Sequence, residues 1–106
     1  MSYENNDKIL TLFLQEMRNK LGGDLKQFIL FGSRARGDNT SYSDYDCLAI
    51  LDQMSPEIGD TIDEIAGEFL YQYNAVFSVF LISEKQHRQQ SYSPLLMNIR
   101  REGISL

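Results

Sequence analysis

Apolar residues recur along this chain with two periods that alternate from segment to segment. Residues 7–21 place them at helical spacing, which predicts a first helix with Asp7 as its N-cap and Gly22 just beyond its end. Two further runs are short, apolar and rich in aromatic and β-branched side chains, which predicts strands over residues 25–31 and 45–51. The second of these runs is almost continuously apolar, which indicates a strand buried on both faces.

The second half of the chain repeats this alternation. A serine followed by a proline marks the start of a long helix over residues 56–73, and its apolar stripe predicts one buried side. A third strand is predicted over residues 76–83, a partly helical polar segment over residues 84–93, and a last short helix from Pro94 to a closing glycine. This order predicts an α/β (α+β) fold with a small mixed sheet of three to four strands and helices packed on it.

Length and composition restrict the class of protein. The chain has 106 residues, so we expect a single domain over residues 1–106. Its net charge of −5 argues against nucleic acid as a general partner. Cys47 is the only cysteine, the N-terminus lacks the pattern of a secretory signal, and no apolar run is long enough to span a bilayer. We therefore expect a cytoplasmic protein with no membrane partner.

The segment after the first predicted strand has the composition of a phosphate site. Gly32 permits a tight turn and close approach of a ligand, and Ser33 adds a hydroxyl to the N–H donors of such a turn. Arg34 and Arg36 supply fixed positive charge and forked donors that suit phosphate. The spacing is not that of a Walker A loop. The glycine and serine alone would favour an ordinary turn with two solvated arginines.

Two carboxylates, Asp44 and Asp46, stand at the start of the second predicted strand. Residues two apart on a strand point to the same face, and the two charges repel each other unless a cation lies between them. Oxygen ligands of this kind suit Mg²⁺, which typically takes one or two carboxylates together with substrate phosphates. Alone, the pair would indicate no more than a polar turn before a strand.

The spacing between the two features is more specific than either feature. The ten residues from Arg34 to Ser43 separate Gly32-Ser33 from Asp44-x-Asp46, so a triphosphate held at one end could face a metal held at the other. The stretch FGSRARGDNTSYSDYDCLAIL resembles the DNA polymerase β-like nucleotidyltransferases. It is similar in particular to the minimal nucleotidyltransferase (MNT) proteins, such as the MntA-type antitoxins of HEPN/MNT toxin–antitoxin pairs.

This resemblance implies a nucleotidyltransferase-like fold and a role for each matched residue. Gly32 and Ser33 would hold the β- and γ-phosphates of a nucleoside triphosphate, expected to be ATP, and Arg36 would steady the phosphates or the loop. Asp44 and Asp46 would be the catalytic residues and the ligands of Mg²⁺. The family transfers a nucleoside monophosphate and releases pyrophosphate, and antitoxins of this type adenylylate a tyrosine on their toxin. A HEPN-type toxin is the implied protein partner, and the resemblance leaves open whether the chain forms a homo-oligomer.

One residue of the family pattern is missing. The family usually has a third carboxylate on the strand after the long helix, whereas that strand here has no Asp or Glu and offers Val76 or Ser78 at the matching position. Glu68 and Glu84 lie outside the strand. Two functions therefore stay open. We favour a Mg²⁺-dependent transferase that moves AMP from ATP to a protein acceptor, and the alternative is a catalytically weak or inactive nucleotide-binding or docking antitoxin with the same fold.

The remaining candidates have simpler explanations. We expect His87 to be a solvent-exposed helix residue rather than a ligand or base, and Cys47 to be an inert core residue. Tyr71 and Tyr73 end the long helix and are either interface residues or simply half-buried. The last helix has a short apolar stripe, which we expect to pack on the sheet, with a partner surface as the alternative.

Overall fold

The computed structural model describes residues 7–106 and has helices and strands close to the predicted positions. The helices are α1 (Lys8–Leu21), α2 (Ser33–Arg36), α3 (Pro56–Tyr73), α4 (Glu84–Gln89) and α5 (Pro94–Glu102), with a short 3₁₀ turn at Gly22–Asp24. The strands are β1 (Leu25–Phe31), β2 (Tyr45–Leu51), β3 (Phe77–Ser83) and β4 (Ile104–Ser105). The apolar pattern does not predict α2 or β4, because both are too short to show a period.

Side chains at the helix ends explain where the helices begin. Asp7 is the N-cap of α1 and accepts a hydrogen bond from the Leu10 N–H at 3.1 Å, as the sequence predicts. Ser55 caps α3 in the same way, and Ser83 forms a capping box with Gln86 at the start of α4. At the other end of α3, Asn74 adopts a left-handed conformation that stops the helix.

The strands form one mixed sheet in the order β3-β2-β1-β4. β1 pairs antiparallel with β2 and with β4, while β2 pairs parallel with β3. The long helix α3 makes the crossover that this parallel pairing requires. The mixed sheet with helices packed on it confirms the predicted fold class. The inner strand β2 is buried on both of its faces, which explains why its sequence is so apolar.

Each face of the sheet has its own apolar cluster. One face packs against α1 and α3, and the buried side chains of this larger cluster include Leu10, Phe13, Met17, Phe28, Leu30, Tyr45, Cys47, Ala49, Leu51, Ile62, Ile65, Phe69 and Phe77. The other face packs against α5 through Leu48, Ile50, Leu96 and Ile99. Odd-numbered residues of β2 thus face the larger cluster and even-numbered residues face α5, as the period of two along a strand requires.

The last helix packs on the sheet as the sequence predicts. Leu96 and Ile99 of α5 are buried against β2, and β4 then runs back beside β1. Leu95, which the sequence places on the same stripe, is 45% exposed because it lies on the outer side of the helix. Within residues 7–106, no helix is both long and apolar enough to cross a bilayer.

Candidate active site

The predicted phosphate loop and the predicted metal ligands meet at one edge of the sheet. Phe31, the last residue of β1, is paired with Asp46 of β2, and Asp46 is paired with Ser78 of β3. Because β1 runs antiparallel to β2, the end of β1 lies beside the start of β2 and β3. Gly32 follows Phe31 directly and is thereby placed next to Asp46.

Gly32 has a conformation and a neighbour that both require glycine. Its backbone angles are φ 76° and ψ −157°, a region that other residues rarely adopt. A Cβ atom at this position would lie 2.5 Å from Asp46 Oδ2 and 3.2 Å from Asp46 Cβ and Cγ. The backbone of the loop and the carboxylate are therefore in direct contact.

The single turn of helix α2 begins immediately after Gly32. The N–H groups of Ala35 and Arg36 donate to the Gly32 carbonyl, both at 3.1 Å. The N–H groups of Ser33 and Arg34 are not used inside the helix, as is usual for the first residues of a helix. Within residues 7–106 the Ser33 hydroxyl also has no hydrogen-bond partner. These donors at the sheet edge are free to bind an anion.

Asp46 lies on the α5 side of the sheet, Tyr45 points into the opposite core, and Asp44 directly precedes β2. Asp44 is exposed and Asp46 is half-buried. Burial raises the pKa of Asp46, the neighbouring charge of Asp44 raises it further, and the Arg36 guanidinium partly offsets both. The two carboxylates and Arg36 therefore lie close enough to affect one another.

The two aspartates fit a hard divalent cation that also binds a phosphorylated substrate. Within residues 7–106 no group of three or more His, Cys, Asp or Glu side chains is placed to hold a metal, so the chain supplies only two carboxylates here. Mg²⁺ is commonly held by one or two carboxylates, with substrate phosphates and water completing its octahedron. A cation would also remove the repulsion that raises the pKa of Asp46.

Two carboxylates hold the Arg36 guanidinium at different nitrogens. Its Nε donates to Asp38 Oδ2 at 3.2 Å, and its Nη1 lies 3.2 Å from both carboxylate oxygens of Glu102. Both contacts raise the pKa of Arg36, and the contact with Asp38 has the larger effect. Glu102 also accepts a hydrogen bond from the Gly32 N–H at 3.2 Å. Sequence reasoning missed Glu102 because 66 residues separate it from Arg36 and no local motif connects them.

Arg34, whose forked donors suit phosphate by residue type, uses them within the protein instead. Its side chain is only 14% exposed and turns away from the aspartates. Nε and Nη2 both donate to the Ser43 carbonyl, at 3.0 and 2.9 Å, and the guanidinium lies 3.9 Å above the centre of the Tyr45 ring. Nη1 is 3.7 Å from Asp7 Oδ2. Arg34 therefore holds the loop onto the core, because its donors serve the protein itself.

Ser78 is one of the two residues that the sequence offers at the position of the family's third carboxylate. It is the Cα partner of Asp46 on the parallel strand β3. Val76, the other candidate, precedes the strand, and its carbonyl accepts a hydrogen bond from the Tyr45 N–H at 2.9 Å. Glu68 is exposed on α3, and Glu84 follows β3 at the end far from Ser78. Neither glutamate replaces the missing group.

The other candidate residues lie away from this edge. His87 is half-buried rather than fully exposed and, with Arg100, borders a cavity of about 190 Å³ between α5 and the sheet. Cys47 is fully buried in the core as expected, and burial, together with the charge of Asp46, raises the pKa of its thiol. Tyr71 is 91% exposed, whereas Tyr73 is 41% exposed and packs on Phe69.

Comparison with known proteins agrees with this geometry. A family model described as "Nucleotidyltransferase domain" matches residues 10–94. Two relatives come from Methanocaldococcus jannaschii. The chain is 36% identical over 96 residues to "Putative protein adenylyltransferase MJ1305" and 30% identical over 99 residues to "Putative protein adenylyltransferase MJ0604". These matches cover 88% and 93% of the chain. The chain spans 65% of the length of the first relative and 95% of the second.

Solved structures share the fold at lower sequence identity. A crystal structure described as "the toxin-antitoxin with AMP-PNP" superposes with a TM-score of 0.61 at 17% identity, covering 89% of this chain and 69% of the other. A structure of the toxin-antitoxin MntA-HpeT gives a TM-score of 0.60 at 15% identity, covering 87% and 68%. A nucleotidyltransferase structure from Sulfolobus solfataricus gives 0.54 at 23% identity, covering 77% and 70%. At these identities the structures establish the fold alone.

Proposed function

Because the chain belongs to the nucleotidyltransferase domain family, we propose that it transfers AMP from ATP to a protein acceptor with the help of Mg²⁺. The names of its two archaeal relatives, both protein adenylyltransferases, support the choice of nucleotide and of acceptor class. The toxin–antitoxin complexes that share its fold support a toxin as the acceptor and an antitoxin role, and the resemblance of the sequence to MNT proteins makes a HEPN-type toxin the candidate. A nucleoside triphosphate substrate also suits the cytoplasmic location expected from the sequence.

The observation that best supports this proposal is the contact between Gly32 and Asp46. A loop with free N–H and hydroxyl donors lies against a carboxylate that has a second carboxylate beside it. Phosphates bound by the loop would lie next to a cation bound by Asp44 and Asp46. Nucleotidyl transfer requires this proximity, because charge builds up on the phosphate oxygens in the transition state.

Each residue of the site has a task in the proposed reaction. The Ser33 hydroxyl, the N–H groups at the start of α2 and Arg36 hold the β- and γ-phosphates and orient the α-phosphorus. Asp44 and Asp46 would hold Mg²⁺, which when bound neutralises charge on the phosphate oxygens. The acceptor hydroxyl forms a bond to the α-phosphorus, the bond to pyrophosphate breaks, and the proton of the hydroxyl passes to solvent. Ser78 cannot accept that proton at neutral pH, so we expect slow turnover.

Transfer is tested with ATP labelled on the α-phosphate, Mg²⁺ and a candidate HEPN-type toxin. We expect label on the toxin with α-labelled ATP and none with γ-labelled ATP, because the γ-phosphate leaves with pyrophosphate. Asp44→Ala and Asp46→Ala should abolish labelling, and Asp63→Ala, which removes an exposed carboxylate from α3, should not. Labelling that persists in Asp44→Ala would refute the assigned metal ligands.

A second candidate function is a docking antitoxin with weak or no transfer activity. The residue beside Asp46 on β3 supports it, because Ser78 is neither an anionic ligand nor a base. This alternative expects the toxin to be neutralised, and to co-purify with the chain, even when Asp44 and Asp46 are both replaced by alanine. Neutralisation that is lost in the double variant while the complex persists would favour the transferase.

A further inference from the structure

Glu102 connects the last helix to the phosphate loop at two points. One carboxylate oxygen accepts from the Gly32 N–H at 3.2 Å, and both oxygens lie 3.2 Å from Arg36 Nη1. The Glu102 side chain is 28% exposed, so solvent screens these contacts only in part. The motif does not include this residue, which lies on α5 and outside the Gly32–Asp46 segment.

A carboxylate in this position could in principle compete with phosphate for the same donors. Glu102 does occupy the Gly32 N–H, but at Arg36 the two carboxylates engage only Nε and Nη1. Within residues 7–106, no group accepts from Arg36 Nη2. The Ser33 hydroxyl and the first N–H groups of α2 are likewise not engaged by Glu102. The two carboxylates fix the guanidinium at Nε and Nη1 and leave the N–H groups of Nη2, which lie between those two nitrogens, available to a ligand.

We propose that Glu102 is a positioning residue for nucleotide binding, which acts by fixing the Arg36 guanidinium and the backbone of the phosphate loop at Gly32. This inference rests on the proposed function, since it assumes that a triphosphate binds at the loop. An arginine fixed before binding loses less conformational freedom on contact with phosphate. Helix α5 thereby contributes to a site whose other residues come from β1, α2 and β2.

The test compares nucleotide binding by calorimetry, using the non-hydrolysable analogue AMP-PNP with Mg²⁺. We expect Glu102→Ala to weaken binding about tenfold, the typical effect of losing a charge-assisted hydrogen bond. Glu102→Gln, which keeps an acceptor for Gly32 and Arg36, should retain most of the affinity. Glu68→Ala is the control for the change in net charge, because Glu68 is exposed on α3.

A double-mutant cycle separates positioning from a general effect on folding. If Glu102 acts through Arg36, Glu102→Ala should weaken binding much less in an Arg36→Ala background than in the wild type. Equal losses of affinity in both backgrounds would overturn the proposal. Tighter binding by Glu102→Ala would also overturn it, because Glu102 would then be a competitor of phosphate. A wild-type chain that binds no nucleotide would instead refute the proposed function itself.

Discussion

Gly32 and Asp46 are packed so closely that a side chain at position 32 would displace the Asp46 carboxylate. A Cβ atom there would lie 2.5 Å from Asp46 Oδ2, and the backbone conformation at φ 76° is one that glycine alone adopts readily. The contact joins the part of the site that would bind phosphates to the part that would bind a metal. It also shows why a small residue directly follows β1.

Gly32→Ala should therefore damage the site more than the fold. We expect a loss of about 1–3 kcal/mol in the free energy of unfolding from backbone strain, together with loss of nucleotide binding because Asp46 must rotate away. Gly37→Ala is the matched control, since Gly37 also has a positive φ but open space around its Cβ position. It should lower stability by about 1 kcal/mol and leave binding intact. Equal binding by the two variants would contradict the assigned role of Gly32.

Ser78→Asp should restore the missing carboxylate. The new side chain would stand beside Asp46, and we expect Mg²⁺ to raise the melting temperature of this variant more than that of the wild type. If the missing base limits transfer, the rate of toxin labelling should increase, by up to about 100-fold. Ser105→Asp adds the same charge on exposed β4 and should change neither quantity. An unchanged rate would mean that another step limits the reaction.

Asp46→Asn should stabilise the protein at neutral pH when Mg²⁺ is removed by a chelator. Burial, and then the charge of Asp44, raise the pKa of Asp46 in the folded chain, so the ionised carboxylate destabilises the fold above that pKa. The stability of the wild type should fall as pH rises from the ordinary aspartate pKa, about 4, through the raised value. Below that window the advantage of Asp46→Asn should disappear. Thermal melts from pH 3 to 8, with Asp63→Asn as the control, measure this.

The thiol of Cys47 should be inert in the folded protein. It is fully buried in the central strand, and burial raises its pKa, so the reactive thiolate is scarce. Ellman's reagent should label less than a tenth of the chain at pH 8 in native buffer and one thiol per chain in guanidinium chloride. Fast stoichiometric labelling of the native protein would show that the sheet opens readily around β2.

The two arginines of the motif should respond differently to lysine. Arg34→Lys loses the forked contact with the Ser43 carbonyl and the stacking on Tyr45, which we expect to cost about 1–2 kcal/mol of stability. Arg36→Lys should leave the melting temperature nearly unchanged, because Arg36 is at the surface, and should weaken nucleotide binding. Chemical denaturation and calorimetry on both variants test this contrast. The opposite pattern would reverse the two assignments.

The sequence predicted most elements and the proximity of the two motif ends, because both depend on local patterns. The spacing of apolar residues and the capping residues predict α1, α3 and the three long strands. The loop between β1 and β2 is short, so Gly32 and Asp46 at its two ends must lie close together. The sequence could not predict the contacts of Glu102, which depend on how α5 docks. It also could not predict that Arg34 packs on Tyr45 while Arg36 stays at the surface, because residue type alone does not tell which of two nearby arginines turns toward the core.

Gly32 contacts both Asp46 and Glu102, and these two residues lie at very different distances from it along the chain. Asp46 follows in the next strand, whereas Glu102 is 70 residues away. Closing the longer segment costs roughly 1 kcal/mol more in chain entropy, and contacts between distant residues tend to form late in folding. We expect the loop and the two aspartates to assemble first and α5 to dock afterwards. The final stage of folding would then be the one that orients Arg36, so a kinetic intermediate could be compact and yet bind nucleotide weakly.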